Sequence, residues 1–399
     1  MICFGSNVSD VGNAWSQHIG FITATLFSIG LSACSPTHDG YDRSLRYPLR
    51  KDLIVLQAPP TIPLAPAPPG QLDESILQFR NLGGKTANPA DLSDIVRQEL
   101  QHYLDALFGS PASPAISIDP DTEPIASVDF HPEQLARGSR LYRRHCVQCH
   151  GLSGDGRGPT GPWLYPYPRD FRLGVFKSST HAETQGKPSI SALKQILRQG
   201  IPGSSMPIFD QLPDADLDAL ISYVIHLSLR GETEYRVLKA SLAADSEFNF
   251  DDIPGECRDA VRVAWRQWQR AQTLEVKETA DFPDSDPAMV LRGYQLFSAE
   301  VGAGCLKCHE DFGRADRYHY DVWGGVNRVR DLTRGEYRWG RQPELIAQHI
   351  RHGIAGSGMP GHPTLNEEQV RQLVAFVLTL PAPSRLPLEL RQTIYPGAP

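Results

Sequence analysis

The sequence lacks two features that would narrow its class at once: long blocks of like charge, and apolar runs long enough to cross a membrane. Its 399 residues carry a formal charge of −7 without the basic clusters that bind nucleic acid, so no nucleic-acid partner is expected. The uncharged apolar stretch at 19–33 has about 15 residues, fewer than the roughly 20 of a membrane-spanning helix. Cysteine and methionine are also scarce, with 7 and 4 residues, so their repeated use at matched positions is informative.

The N-terminal region has the pattern of an export signal. The stretch at 19–33 ends in small residues and closes with Leu31-Ser32-Ala33-Cys34, which resembles the bacterial lipobox, where the cysteine is lipidated. An ordinary cleaved signal with an incidental cysteine is the alternative, and residues 1–18 depart from the usual pattern because they contain no Lys or Arg. We expect a lipoprotein-type signal peptide over 1–33, with acyl chains on Cys34 that hold the protein at a membrane surface.

A spacer and a helical extension are expected next. The segment APPTIPLAPAPPG at 58–70 is rich in proline and should be extended and stiff, so residues 34–71 are predicted to form a tether. Within an extension at 72–128, residues 89–108 have the apolar periodicity of a helix that packs on the next domain. The apolar positions of that helix face are Leu92, Ile95, Val96, Leu100, Leu104 and Leu107.

Four of the seven cysteines lie in two copies of Cys-x-x-Cys-His, in RRHCVQCHG (143–151) and GAGCLKCHE (302–310). A redox dithiol or one shared zinc site is an alternative, but a dithiol does not need the histidine. The two pairs also lie much farther apart than the roughly 15–20 residues of a zinc ribbon. Covalent haem attachment uses all three residues, since two thiols hold the haem edge and the imidazole ligates the iron. The motifs favour haem attachment at Cys146, Cys149 and His150, and at Cys305, Cys308 and His309.

The two motifs lie within a longer internal repeat. Each is preceded by Arg-Gly-x-x-Leu-aromatic, with the glycines at Gly138 and Gly293, and a glycine on a short helix predicts a close helix crossing. Each repeat closes with an apolar-periodic helix, which is predicted over 214–229 and 366–380. The other matched segments are RDFRLGVFK (169–177) with RDLTRGEYR (330–338), and RQGIPGSSMP (198–207) with RHGIAGSGMP (351–360).

Two of the four methionines, Met206 and Met359, occupy equivalent places in the repeats, each in a glycine-rich loop and before proline. A haem that only passes electrons needs both faces of its iron filled, and a thioether ligand raises the reduction potential. Packing in an apolar core is the alternative role for these methionines. His352 and His362 flank Met359 and are weaker ligand candidates, because the first repeat has Gln199 in place of His352.

Each repeat resembles a class I cytochrome c domain: a glycine-bearing N-terminal helix, Cys-x-x-Cys-His, a methionine loop and a C-terminal helix that crosses the first. The resemblance covers roughly 129–231 and 288–383. It implies a mainly α fold of two tandem cytochrome c domains and two covalently bound haem c groups, attached outside the bacterial cytoplasm. The residues implied are Cys146, Cys149, His150 and Met206 for the first haem, and Cys305, Cys308, His309 and Met359 for the second.

The two predicted domains are joined by an acidic connector at 232–287 and followed by a tail at 384–399. Helices are expected near 236–243 and 256–272, so the connector should be partly folded and could hold the two haems close together. Cys257 is expected to be a buried structural thiol. The apolar face of its helix contains Val261, Ala264, Trp265 and Trp268.

Several further residues have two possible roles. Arg169 and Arg330 match across the repeats and could bind haem carboxylates, since Arg suits carboxylate groups, or could pair with Asp170 and Asp331. Three of the tryptophans, Trp163, Trp323 and Trp339, could line haem pockets or belong to an ordinary core.

The expected function is a membrane-tethered dihaem cytochrome that passes single electrons between respiratory redox partners on the periplasmic side of a bacterial membrane. It is a carrier rather than an enzyme with its own substrate. A dihaem peroxidase or another dihaem oxidoreductase is one alternative, but peroxide must reach an open iron face and both repeats offer a methionine there. A redox sensor or an electron-transfer subunit of a larger respiratory complex is the other.

Overall fold

The computed structural model describes the chain from residue 40 to residue 397 with several gaps. The described ranges are 40–57, 64–65, 83–118, 123–164, 166–177, 186–244, 250–273, 286–299, 303–314, 318–320, 326–337 and 340–397. The predictions for the signal peptide, for Cys34, for Trp323 and Trp339 and for most of the proline-rich segment lie outside these residues.

The fold is mainly α-helical, as predicted. The helices are α1 Asp94–Phe108, α2 Pro132–His145, α3 Val147–His150, α4 Ile190–Gln199, α5 Asp214–Ala243, α6 Ile253–Thr273, α7 Pro287–Ser298, α8 Pro343–His352, α9 Glu367–Thr379 and α10 Leu388–Ile394. Within the described residues, no helix has both the length and the apolar character needed to cross a membrane.

Short antiparallel strand pairs accompany the helices. The strands are β1 Ile54–Gln57, β2 Leu64–Ala65, β3 Lys85–Ala87, β4 Gly109–Ser110, β5 Ser113–Pro114, β6 Tyr318–Tyr320 and β7 Val326–Arg328. β1 pairs with β3, β4 with β5, and β6 with both β2 and β7. β2 belongs to the predicted tether and is extended as expected, but it is paired with a strand of the second repeat.

In the first repeat, α2 and α5 cross at Gly138. A Cβ atom at Gly138 would lie 2.8 Å from Cβ of Tyr223, and closer still to the backbone oxygen of Ala219. The glycine therefore allows backbone to approach backbone. One turn farther along, the rings of Tyr142 and Tyr223 pack with centroids 5.3 Å apart.

The second repeat has the same crossing, between α7 and α9. A Cβ atom at Gly293 would lie 2.8 Å from Cβ of Phe376, and closer still to the backbone oxygen of Gln372. The rings of Phe297 and Phe376 pack with centroids 5.2 Å apart. The predicted close helix crossing is confirmed in both repeats.

The connector begins as a direct continuation of the first repeat's last helix. The predicted end at residue 229 and the separate helix at 236–243 are wrong, because α5 runs unbroken as Asp214–Ala243. Two contacts favour continuity at this point. Buried Arg230 pairs with Glu234 one turn later, at 3.1 Å, and Arg172 packs so closely on Gly231 that a Cβ there would overlap it.

The first core contains the first repeat, the helical extension and the connector, and it also buries Tyr47 and Ile54 of the predicted tether. The prediction of a spacer is therefore wrong for this part of 34–71. The predicted face of α6 is confirmed, since Cys257, Val261, Ala264, Trp265 and Trp268 are all buried. α1 packs on α5 and α6. Its predicted face is right for Val96, Leu100 and Leu104, but wrong for Ile95, which is 60% exposed. The buried stripe continues at the spacing of four residues to Phe108 instead.

The second core contains the second repeat and the tail. α10 buries Leu390 and Ile394 against it. The hydroxyl of Tyr395 donates a hydrogen bond to the backbone oxygen of Leu380 at 2.6 Å, and the guanidinium of Arg314 lies over the Tyr395 ring. The tail is therefore part of the second globular unit.

We predict that Gly138→Ala destabilises the first core. The new methyl group would overlap the backbone of α5, and overpacking of this kind costs about 1–3 kcal/mol. Denaturant unfolding should show a lower midpoint for the variant. Gly255→Ala is the matched control, because a Cβ atom at this helical glycine meets nothing within 4 Å, so it should be neutral or stabilising by up to about 1 kcal/mol. Equal midpoints for the two variants would contradict the close crossing.

A second prediction concerns buried His226. Its Nε2–H donates to the backbone oxygen of Phe108 at 2.8 Å, and burial lowers its pKa to about 4 from 6.5. The unfolded chain therefore binds the proton first as the pH falls from 6.5 to 4, and the free energy of unfolding decreases by up to about 1.4 kcal/mol per pH unit.

The variant His226→Gln keeps an N–H donor for Phe108 but cannot titrate. Its unfolding free energy should fall less steeply over this pH range than that of the wild type, as measured by denaturant titration. His102→Gln, at an exposed position of α1, is the control and should keep the wild-type slope. An unchanged slope in His226→Gln would contradict the prediction.

Candidate functional site

One cavity of about 410 Å³ brings together the four candidate residues of the first repeat. Cys146, Cys149, His150 and Met206 all line it. Cys146 follows the last residue of α2, and α3 contains Cys149 and His150. Met206 lies in the loop between α4 and α5.

The imidazole of His150 is held with one nitrogen available. Its Nδ1 lies 3.1 Å from the backbone oxygen of Arg169. A carbonyl oxygen only accepts, so Nδ1 carries the proton and Nε2 is the unprotonated nitrogen. Burial lowers the pKa of His150 to about 4, which keeps the ring neutral near pH 7. This is how a metal-binding histidine is oriented by a partner that does not itself bind the metal.

His309 in the second repeat has the same arrangement. Its Nδ1 lies 3.2 Å from the backbone oxygen of Arg330, and burial lowers its pKa. The matched arginines thus contribute their main-chain carbonyls to the two sites. The sequence had drawn attention only to their side chains.

The carboxylates next to these arginines have other partners. Asp170 accepts a hydrogen bond from the guanidinium of Arg172 at 2.7 Å. Asp331 pairs with Arg334 at 3.2 Å.

The methionine loop of the first repeat is fixed by its own backbone. The N–H of Met206 donates to the hydroxyl of Ser204 at 3.2 Å, and the N–H of Ile201 donates to the Met206 carbonyl oxygen at 3.4 Å. Gly200 has a φ of +66° and lies against that carbonyl, so glycine is required at this turn.

The loop of the second repeat reproduces these contacts. The N–H of Met359 donates to the Ser357 hydroxyl at 3.1 Å, and the N–H of Ile354 donates to the Met359 carbonyl oxygen at 3.1 Å. Gly353 has a φ of +73°. His309 and Met359 thus have the same local hydrogen bonds as His150 and Met206. In the first repeat, all four candidate residues also line one cavity.

The first thiol of each motif lacks the lowered pKa of a redox dithiol. Burial raises the pKa of Cys146 to about 12 and that of Cys305 to about 11, whereas a reactive dithiol needs a lowered pKa. A shared zinc site is not formed either, since no three metal-binding side chains of His, Cys, Asp or Glu converge among the described residues. Cys257 is buried with its pKa raised to about 12, as expected for a structural thiol.

Other lining residues of the cavity come from distant parts of the chain, and the sequence did not indicate them. Arg50 and Asp52 precede the first repeat, Tyr235 lies in the continued part of α5, and Asn327 belongs to the second repeat. Although burial alone would raise it, nearby arginines led by Arg50 lower the pKa of Asp52 to about 2. Asp52 is therefore ionised at neutral pH.

The sites differ locally where the second repeat has extra residues before its first cysteine. Cys305–Lys307 is a 3₁₀ helix rather than an α-helix, and Cys308 is exposed while Cys149 is half-buried. Trp163 is 86% exposed, so it does not belong to the core, and its expected role in a haem pocket stays a prediction.

The donor set of the first cavity fits haem c. Two thiols are present for covalent attachment, a neutral imidazole offers an unprotonated Nε2, and a thioether lines the same space. These are the groups that attach and ligate a c-type haem.

Comparison with known proteins finds a cytochrome c-type family model on part of each repeat. Residues 135–228 match the family model described as "Cytochrome c", and residues 288–377 match the one described as "Cytochrome C oxidase, cbb3-type, subunit III". A search of the curated proteins gives no match. Among solved structures, the chain is similar to one from a reducing HAO-like protein complex of Kuenenia stuttgartiensis. That similarity has 20% identity and a TM-score of 0.45, and covers 65% of this chain and 99% of that chain.

The two matched segments lie inside the two repeats recognised in the sequence. Their family models imply covalently bound haem c and electron transfer. The prediction of tandem domains is confirmed, because each of the two repeats contains a segment that matches a cytochrome c-type family model.

Proposed function

We propose that the chain is a dihaem c-type cytochrome that passes single electrons between redox protein partners and has no substrate of its own. The observation that carries this proposal is the first cavity, which Cys146, Cys149, His150 and Met206 line together. Haem c, when bound, supplies an iron that gains and loses one electron. His309 and Met359 repeat the local geometry of His150 and Met206, which supports a second haem.

The protein's own residues favour a carrier over a peroxidase. The Nδ1–H donation of each histidine to a main-chain carbonyl fixes which nitrogen is available. Each methionine is held by a serine hydroxyl two residues earlier. An imidazole and a thioether in each domain would hold the iron of a bound haem, and this would disfavour the binding of peroxide.

Contacts between the domains support electron exchange between the two sites. Asn327 lines the first cavity and accepts a hydrogen bond from Lys177. Three residues later, the Arg330 carbonyl accepts from His309. The Arg330 guanidinium packs on Gly203 in the Met206 loop, where a Cβ atom would lie 2.5 Å from Nη1.

Residues 327–330 therefore contact both sites. The sequence-based hypothesis gave this role to the connector. α6 of the connector packs into the first core, and residues 274–285 of the connector lie outside the described residues, so that hypothesis stays a prediction. A described contact between the sites is made by the second domain.

We further propose that the protein acts on the periplasmic side of a bacterial membrane, to which lipid on Cys34 holds it. This rests on the lipobox-like sequence at 31–34 and on the attachment of haem c outside the bacterial cytoplasm that the family resemblance implies.

The test compares the spectra of three variants, each with one methionine replaced by leucine. Wild-type protein should hold two haems per chain, both low-spin, with the weak far-red ferric band of methionine ligation. Met206→Leu and Met359→Leu should each remove about half of that band and lower one of two reduction midpoints, because thioether ligation raises the potential. Met289→Leu, at the remaining internal methionine in α7, should change neither property.

A wild-type haem count other than two would contradict the dihaem proposal. A high-spin wild-type haem that reacts rapidly with peroxide would replace the carrier with the peroxidase alternative.

The second domain favours one further candidate function, that of an electron-transfer subunit in a larger respiratory assembly. The observation is its match to the model of subunit III of cbb3-type oxidase. Protein extracted in mild detergent should then migrate with partner subunits at fixed stoichiometry in gel filtration. A single species of one chain would contradict this candidate function and leave the free carrier.

A further inference from the structure

One wall of the first cavity comes from a segment outside the family-matched region. Arg50, Asp52, Leu53 and Val55 line the cavity, whereas the cytochrome c match begins at residue 135. Residues 50–55 of the predicted tether thus contribute to the site, so this part of the chain is more than a spacer.

This segment is bonded to the continued part of α5. The backbone N–H of Arg50 donates to a carboxylate oxygen of Glu234, and the Tyr235 hydroxyl donates to the backbone oxygen of Val55 at 3.1 Å. The hydroxyls of Tyr47 and Tyr223 lie 2.9 Å apart. The position of Arg50 is therefore fixed on both sides.

The Arg50 guanidinium is buried and only loosely paired. The residue is 4% exposed. Nη1 lies 3.7 Å from Asp52 and Nη2 lies 3.7 Å from Asp170, distances too long for hydrogen bonds. Within the described residues, Nε and Nη2 have no hydrogen-bond acceptor.

The nearby Arg172 has the hydrogen-bond acceptors that Arg50 lacks. Its guanidinium donates to both Asp170 oxygens and to Asp52, at 2.7–3.0 Å. These carboxylates are thus bonded to Arg172, and Arg50 lacks an acceptor of its own. A buried donor without an acceptor is costly, by about 1–3 kcal/mol or more when it is charged. An acceptor is therefore expected inside the cavity.

The charge around the cavity also calls for an anion. Among the lining side chains, cations outnumber carboxylates by four to three. The cations are Arg50, Arg157, Arg169 and Lys177, and the carboxylates are Asp52, Asp155 and Asp170. The planar guanidinium fork matches the two oxygens of a carboxylate.

We propose that Arg50 binds a carboxylate of the haem c held by Cys146 and Cys149. This inference rests on the proposed function, because it requires that haem. Arg50 then adds a positive charge near the first iron and favours its reduced form. The segment that contains Arg50 thereby tunes the first site alone.

The test uses the full-length, haem-loaded protein. In a spectroscopic redox titration, Arg50→Gln should shift the midpoint of one haem to a lower potential and leave the other unchanged. The resonance Raman band of the haem carboxylates should shift as well, which a merely structural role of Arg50 would not cause. Arg50→Lys keeps the charge but not the fork, so it should restore most of the midpoint without restoring the band.

The matched control is Arg46→Gln. Arg46 lies on the same segment, but its side chain is 55% exposed, so its loss should leave both midpoints and the band at their wild-type values. Unchanged midpoints and band in Arg50→Gln, with both haems present, would overturn the proposal. If Arg50→Gln does not fold, the band of Arg50→Lys decides in its place. Wild-type protein without covalent haem would instead overturn the proposed function.

Discussion

The close crossing of two helices at a glycine is the contact on which each domain depends. At Gly138 and at Gly293 the first helix of the domain touches the backbone of the last helix. A side chain on either glycine would separate the two helices. In the first repeat the Cys-x-x-Cys-His residues follow the first helix directly, so this crossing also positions the two thiols and the imidazole relative to the core.

Chemistry at the two sites is then set by main-chain atoms. The backbone carbonyls of Arg169 and Arg330 orient His150 and His309, and serine hydroxyls hold the backbone of the methionine loops. Main-chain carbonyls do not ionise, so this orientation does not depend on the protonation of a partner group. Both domains therefore keep a neutral imidazole oriented and hold the backbone of the methionine loop in place.

The two domains are not equivalent despite the repeat. The first shares its core with the tether, the extension and the connector, and its cavity receives residues from the tether and from the second domain. The second domain has a smaller core, closed by its own tail. Its Cys308 is exposed, whereas Cys149 is half-buried. Different burial and different nearby charge are means by which one protein sets two potentials.

The sequence by itself determined the repeat, the helical class and the residues of the two motifs, because each depends on short-range spacing or on a matched pair of segments. Helix ends were harder to predict: Gly231 lies inside α5 because Arg172, far away in sequence, packs against it. Periodicity also misplaced Ile95, since an apolar residue beside the buried stripe follows the same pattern as one within it.

Only the tertiary structure decided that Arg50 and Asn327 reach the first cavity, and that the carbonyls rather than the side chains of Arg169 and Arg330 contact the histidines. Contacts between residues distant along the chain leave no periodic signal, and every residue has the same main-chain carbonyl. The physical reason is thus that these features depend on where the folded chain brings its parts together.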